Sequence, residues 1–177
     1  MWSRDGRNTR SAAAHGALHD IVVGGVVAGV AAAVVIILSR LAVGIAVFLA
    51  VLYQTRSWHG YVTGLFRRAV WTTVKVAARP FVGDRVFEPG FDLPIVALGI
   101  ASLFGFSILT GLVFAALAHG RSRGFTFALG ILFGIGVFFL DLHLINPAPA
   151  TAVEIIPSGF AMAYAFLWYE DRLPAPG

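Results

Sequence analysis

Two apolar runs of membrane length, Leu93–Ala118 and Phe125–Ile145, lie almost end to end in this chain, parted only by the basic stretch His119–Gly124. As helices rising about 1.5 Å per residue they would measure roughly 39 Å and 32 Å. The hydrocarbon core of a bilayer is about 30 Å thick, so each can cross it with some tilt. A tight antiparallel helical hairpin in lipid is therefore the expectation around which the rest of the chain is read.

Composition points the same way. Of 177 residues, 58% are hydrophobic and 12% are charged. Soluble domains carry roughly twice that charge fraction. A single membrane domain over 20–172 follows, between a basic N-terminal tail, 1–19, and a short tail, 173–177. The net charge is +4. The arginines sit mostly at the ends of apolar segments, which suits lipid phosphates as partners and not nucleic acid. The absence of cysteine excludes disulfides, thiolate metal sites and cysteine catalysis. Arg4, Arg7 and Arg10 precede an apolar run longer than a signal-peptide core, with no convincing cleavage site after it. An uncleaved anchor is expected.

The first span contains Gly25 and Gly29, a GxxxG pair flanked by Ala28, Ala32 and Ala33. Small residues let helix backbones approach closely in lipid, where hydrophobic drive between helices is weak. Ser39–Arg40 interrupts the apolar run. A reversal there would need a Gly, Pro or Asn, and none is present. The return, Leu41–Tyr53, would also be too short to span. One long helix over about 20–53 is favoured over two segments.

Trp58–Arg79 has helical periodicity, with Trp58, Tyr61, Leu65 and Phe66 on one side. His59, Arg67, Lys75 and Arg79 lie on the other. This predicts an amphipathic helix over 58–79 in the headgroup region, with Arg67, Arg68, Lys75 and Arg79 as interfacial basic residues. Asp92 can cap the next helix, whose first turn tolerates Pro94. Spans over 93–118 and 125–145 follow, the latter with a second GxxxG, Gly130 and Gly134. Asn146–Pro147 stops it. Thr151 and Glu154 form a capping box for the last span, about 152–169. Pro157 is expected to kink that helix near its start. The predicted fold class is thus all-α: an integral membrane bundle of four transmembrane helices with one interfacial amphipathic helix.

This layout resembles that of YagU-like small bacterial inner-membrane proteins. The matching features are the glycine-rich Val22–Ala33, Gly105–Ala118, the glycines of Ala128–Phe139, and the proline break before a final span. The resemblance implies a multi-pass protein of the bacterial inner (plasma) membrane. It brings no catalytic residues.

Candidate chemistry is sparse. His15 and His19 have a spacing that can hold a metal, but ordinary interfacial histidines explain them better. His119 and His143 fall at opposite ends of their hairpin and cannot sandwich a haem, so no cofactor is expected. Asp141 shares the glycine face of its helix and should point into the bundle, where ionisable groups mark function. In the four-span layout Arg40, Asp141, His143 and Glu154 fall on one membrane side at similar depth, a possible polar cluster. Ser107 and Thr110 are expected to hydrogen-bond back to their own helix. Nucleotide-binding and hydrolase motifs are missing.

The leading expectation is a non-enzymatic packing, assembly or accessory component, alone, as a homo-oligomer or in a larger membrane complex. The alternative is a small transporter or ion-conducting homo-oligomer using the Asp141 cluster. The positive-inside rule does not fix orientation, because arginines balance across the two sides. The first span favours a cytoplasmic N-terminus.

Overall fold

The computed structural model describes residues 5–55, 71–72, 74–88, 90–140 and 155–173. Four long helices dominate: α1 (Asp5–Thr55), α2 (Leu93–Ala118), α3 (Arg123–Leu140) and α4 (Ile155–Glu170). Among the described residues there is no strand. Two stretches are long and apolar enough to cross a membrane, Gly16–Ala46 within α1 and Leu93–Ala118. The described parts of α3 and α4, 18 and 16 residues, reach only about 27 Å and 24 Å.

α1 runs unbroken through Ser39–Arg40, so Leu41–Tyr53 continues the first helix. It begins at Asp5, well before the boundary expected from hydropathy. The basic segment contains Ala12–Ala14, strong helix formers that carry the helix into it. At about 76 Å, α1 is far longer than a bilayer core is thick. Gly25 faces Leu112 and Gly29 faces Ile108, so α1 and α2 run antiparallel. In that register Gly44 is level with Leu93, and a β-carbon there would meet nothing within 4 Å. The last turns of α1 project past the start of α2.

Around the bundle the order is α2, α1, α4, α3, each antiparallel to its neighbour. The expected tight hairpin of α2 and α3 is not the closest pair. Those two helices share a short turn, opened by Gly120 at φ 69°, yet touch little along their lengths. Side-chain size explains the difference. α1 meets α2 through Gly25, Gly29 and Gly111, and α3 meets α4 through Gly130, Gly134 and Gly159, where backbones come together directly. Between α2 and α3 stands Phe114, fully buried, its ring edge-on to Phe133 at 5.6 Å and to Phe166 of α4 at 5.7 Å. Large rings hold helix axes apart where glycines let them close.

The outer faces are apolar. Val22, Val26, Val30, Val34 and Leu38 form an exposed stripe along α1 at four-residue spacing. Gly25, Ala28, Gly29, Ala32 and Ala33 lie buried on the inner side.

The connection before α2 is built from single turns: Val76–Ala78, Arg79–Val82 and Gly83–Phe87. It packs Val76, Ala78 and Val86 against Ile95. Lys75 is 1% exposed, and its Nζ donates to the carbonyls of Glu88 at 2.6 Å and Gly90 at 3.3 Å. It therefore turns inward and braces the loop, instead of facing headgroups as its place in the amphipathic pattern suggested. Carbonyls freed by the irregular chain between Phe87 and Leu93 give its ammonium partners that a surface position lacks. Asp92 caps α2 by accepting from the Ile95 amide at 3.3 Å, with Pro94 in the first turn.

Candidate functional site

Two polar features stand out in an otherwise apolar bundle. The first is a band of charges at the end where α1 begins its packed length, α2 passes into α3, and α4 stops. The antiparallel register puts these three places level with one another. His119 Nδ1 lies 3.3 Å from Glu170 Oε1, tying the α2–α3 turn to α4. Arg123 Nη2 donates to Asp171 Oδ1 at 2.8 Å across the same gap. The guanidinium of Arg172 lies 3.8 Å from the centre of the Trp168 ring, and that of Arg121 lies 5.7 Å from Phe125. His19 Nδ1 lies 3.4 Å from Oδ1 of its neighbour Asp20, and its side chain is 72% exposed. The Arg123–Asp171 pair is exposed on both sides, so it contributes less than about 1 kcal/mol. Such a band of arginines with aromatic neighbours suits a headgroup region. Among the described residues no three His, Asp or Glu side chains come together to hold a metal.

The second feature lies inside. A small cavity sits where all four helices meet, with about 10 Å³ of room for the centre of a water-sized sphere. Its apolar wall comes from Ala32 and Ile36 of α1, Phe106 of α2, Val137 of α3 and Met162 of α4. Ser107, Thr110 and Ser158 also line it, and Ser107 and Ser158 are 4% and 5% exposed. Thr110 Oγ1 donates to the Phe106 carbonyl at 2.9 Å, as expected for a hydroxyl in an apolar helix. Ser107 does not do this. Among the described residues no fully buried side-chain oxygen or nitrogen is left without a hydrogen-bond partner.

The predicted polar cluster is only partly in view. Asp141, His143 and Glu154 lie outside the described residues, as does the side chain of Arg40; its backbone continues α1. The Thr151–Glu154 capping box lies outside them too, and so does most of the amphipathic segment, including Arg67 and Arg68. Pro157 stands in the first described turn of α4. Arg79 is described: it donates to Asp84 at 3.2 Å and stacks over Phe87 at 5.5 Å. Of the glycines singled out for packing, Gly25, Gly29 and Gly130 each sit where a β-carbon would strike a neighbouring helix, and Gly134 is buried beside Gly159.

The cavity was missed from sequence because Ser107 and Ser158 come from distant segments. The one available signal was Ser107 and Thr110 at three-residue spacing, which puts both on one helix face. Gly159 also went unnoticed, although it opens the α3–α4 crossing.

Comparison with protein-family models, with curated proteins and with solved structures finds no match.

Proposed function

We propose that this chain is a non-enzymatic, multi-pass protein of the bacterial inner membrane, crossing it four times as a packing and assembly component. The observation that carries this reading is the division of its surfaces. Glycines close the helix crossings, aliphatic side chains cover the outside of α1, and the described charges gather at the bundle end or in the connection before α2. That pattern fits a body solvated by lipid around its middle and by headgroups at its ends. The GxxxG pairs at Gly25–Gly29 and Gly130–Gly134 act as its packing seams. The YagU-like layout adds weight to the bacterial inner membrane as its place.

Among the described residues, the polar groups at the bundle end pair with one another or with aromatic rings. This supports a structural role over catalysis. Its partners are membrane lipids and other chains, in a homo-oligomer or a larger complex. Extraction in mild detergent followed by native mass measurement tests the assembly role. A stable complex of more than one chain is the expected result. A lone monomer under every mild extraction would count against it.

A further inference from the structure

Both ends of the bundle carry a mark of the membrane boundary. At one end stands the charged band of His119, Arg123, Glu170 and Asp171. At the other, the connection before α2 turns Phe81, Phe87 and Phe91 outward beside exposed Asp84, Arg85 and Glu88. Rings mixed with charges suit the level where acyl chains meet headgroups. Leu93 follows at once, and the helix register puts Gly44 of α1 level with it. α1 does not stop there. It continues from Gly44 to Thr55, about 16 Å past that level. Its apolar run from Ile21 to Tyr53, broken only by Ser39–Arg40, measures roughly 48 Å against a hydrocarbon core of about 30 Å. A bilayer matched to the bundle therefore leaves the projecting end of α1 uncovered. Yet Ile45, Leu49 and Tyr53 on that end are 42%, 56% and 86% exposed.

The exposed face also changes its pattern where the helix leaves the bundle. From Val22 to Leu38 the exposed residues recur at four-residue steps, a line that drifts round a helix of 3.6 residues per turn. From Leu38 the centre of the exposed face steps to Ala42, Ile45 and Leu49, by four, three and four residues. That alternation keeps one line of side chains turned toward a parallel partner helix. We propose that two copies of this chain dimerise through the projecting half of α1, Leu38–Tyr53, paired as parallel helices. This rests on the membrane reading above. Two copies inserted in the same orientation hold these ends at the same height, so Ile45 meets Ile45 and Leu49 meets Leu49 across a two-fold axis. No charged residue lies between Leu41 and Tyr53, so pairing brings no like charges together. Ala42 lets the backbones approach, and Ile45 and Leu49 fill the seam beyond it.

Disulfide trapping in native membranes tests the pairing, because the chain has no cysteine of its own. Ala42→Cys, Ile45→Cys and Leu49→Cys should each give covalent dimers on mild oxidation, several-fold more than Gly44→Cys. Gly44 lies on the other side of the helix, where a β-carbon meets nothing within 4 Å. Ile45→Glu should convert the detergent-extracted dimer to monomer while the chain stays helical by circular dichroism. Seam cysteines that remain monomeric, or that link no better than Gly44→Cys, would overturn the proposal. So would a cross-link to a different protein, or a dimer that survives Ile45→Glu. Alkaline carbonate extraction of the same membranes separates the two readings. A chain retained in the membrane but not cross-linked overturns the dimer alone, whereas a chain released from it overturns the membrane reading and the dimer with it.

Discussion

Gly111→Ala is the perturbation whose cost can be read most directly from the helix crossing. A β-carbon at Gly111 would lie 2.6 Å from the Gly29 amide nitrogen and 2.8 Å from its α-carbon, and closer still to the Gly25 carbonyl oxygen. All three are backbone atoms, so no side chain can swing away. Ordinary van der Waals contact begins at 3.4 Å, so relieving the Gly29 contact alone parts α1 and α2 by about 0.8 Å, and the Gly25 carbonyl requires somewhat more. A gap of that order forfeits roughly a quarter to a half of each dispersion contact along the seam. Overpacking of this kind costs about 1–3 kcal/mol, and the backbone on both sides puts this site near the middle, at about 2 kcal/mol. Gly105→Ala, in the same helix, is the matched control. A β-carbon there meets nothing within 4 Å, and replacing a mid-helix glycine by alanine stabilises by about 0.5–1 kcal/mol. The two substitutions add the same methyl group and should move stability in opposite directions. Reversible unfolding in mixed detergent micelles, followed by circular dichroism, measures both. A Gly111→Ala protein as stable as wild type, or more so, would refute the close crossing of α1 and α2.

Other perturbations separate the remaining contacts. Phe114→Ala removes the fully buried ring wedged between Phe133 and Phe166 and should cost about 3 kcal/mol in the same unfolding assay. Gly134→Leu should lower the melting temperature by forcing α3 from α4, since Gly134 is buried beside Gly159. Arg123→Ala breaks an exposed ion pair and should change stability by less than about 1 kcal/mol; a larger loss would mean the bundle end is less hydrated than its exposure suggests. Lys75→Met should release the loop over 83–92, read as faster proteolysis there while the helices stay intact, because the Glu88 and Gly90 carbonyls lose their donor. Arg40→Leu and Asp141→Leu should be non-additive in a double-mutant cycle, one removed charge hurting more than two; strict additivity would separate the two residues.

The helical class and the start of α2 were legible because they depend on local chemistry, whereas the start of α1 at Asp5 was not. Asp92 with Pro94 announces the start of α2, and the uninterrupted Ser39–Arg40 permits one long α1. Pairing was harder to read. Leu93–Ala118 and its successor look like the natural hairpin because they adjoin in sequence, but adjacency does not set the distance between two helices in a bundle. The side chains at the crossing do, and Phe114 faces α3 while Gly111 faces α1. Lys75 misled for a related reason. Its place in an amphipathic pattern gives a direction but not the free carbonyls of a later loop. The junction cavity needs residues from four helices at one level, which no local pattern encodes.

The number of crossings is tested most directly by labelling single cysteines with a membrane-impermeant maleimide in sealed vesicles. The chain has no cysteine of its own, so every signal is assignable. The informative positions are Gly90, Gly120, Pro147 and Asp171. Four crossings place Gly120 and Asp171 on one face of the membrane, and Gly90 and Pro147 on the other. The expected result is labelling of one pair in right-side-out vesicles and of the other pair in inverted ones. Labelling of Gly90 and Gly120 from the same face, or of Pro147 together with Asp171, would contradict the four-span arrangement.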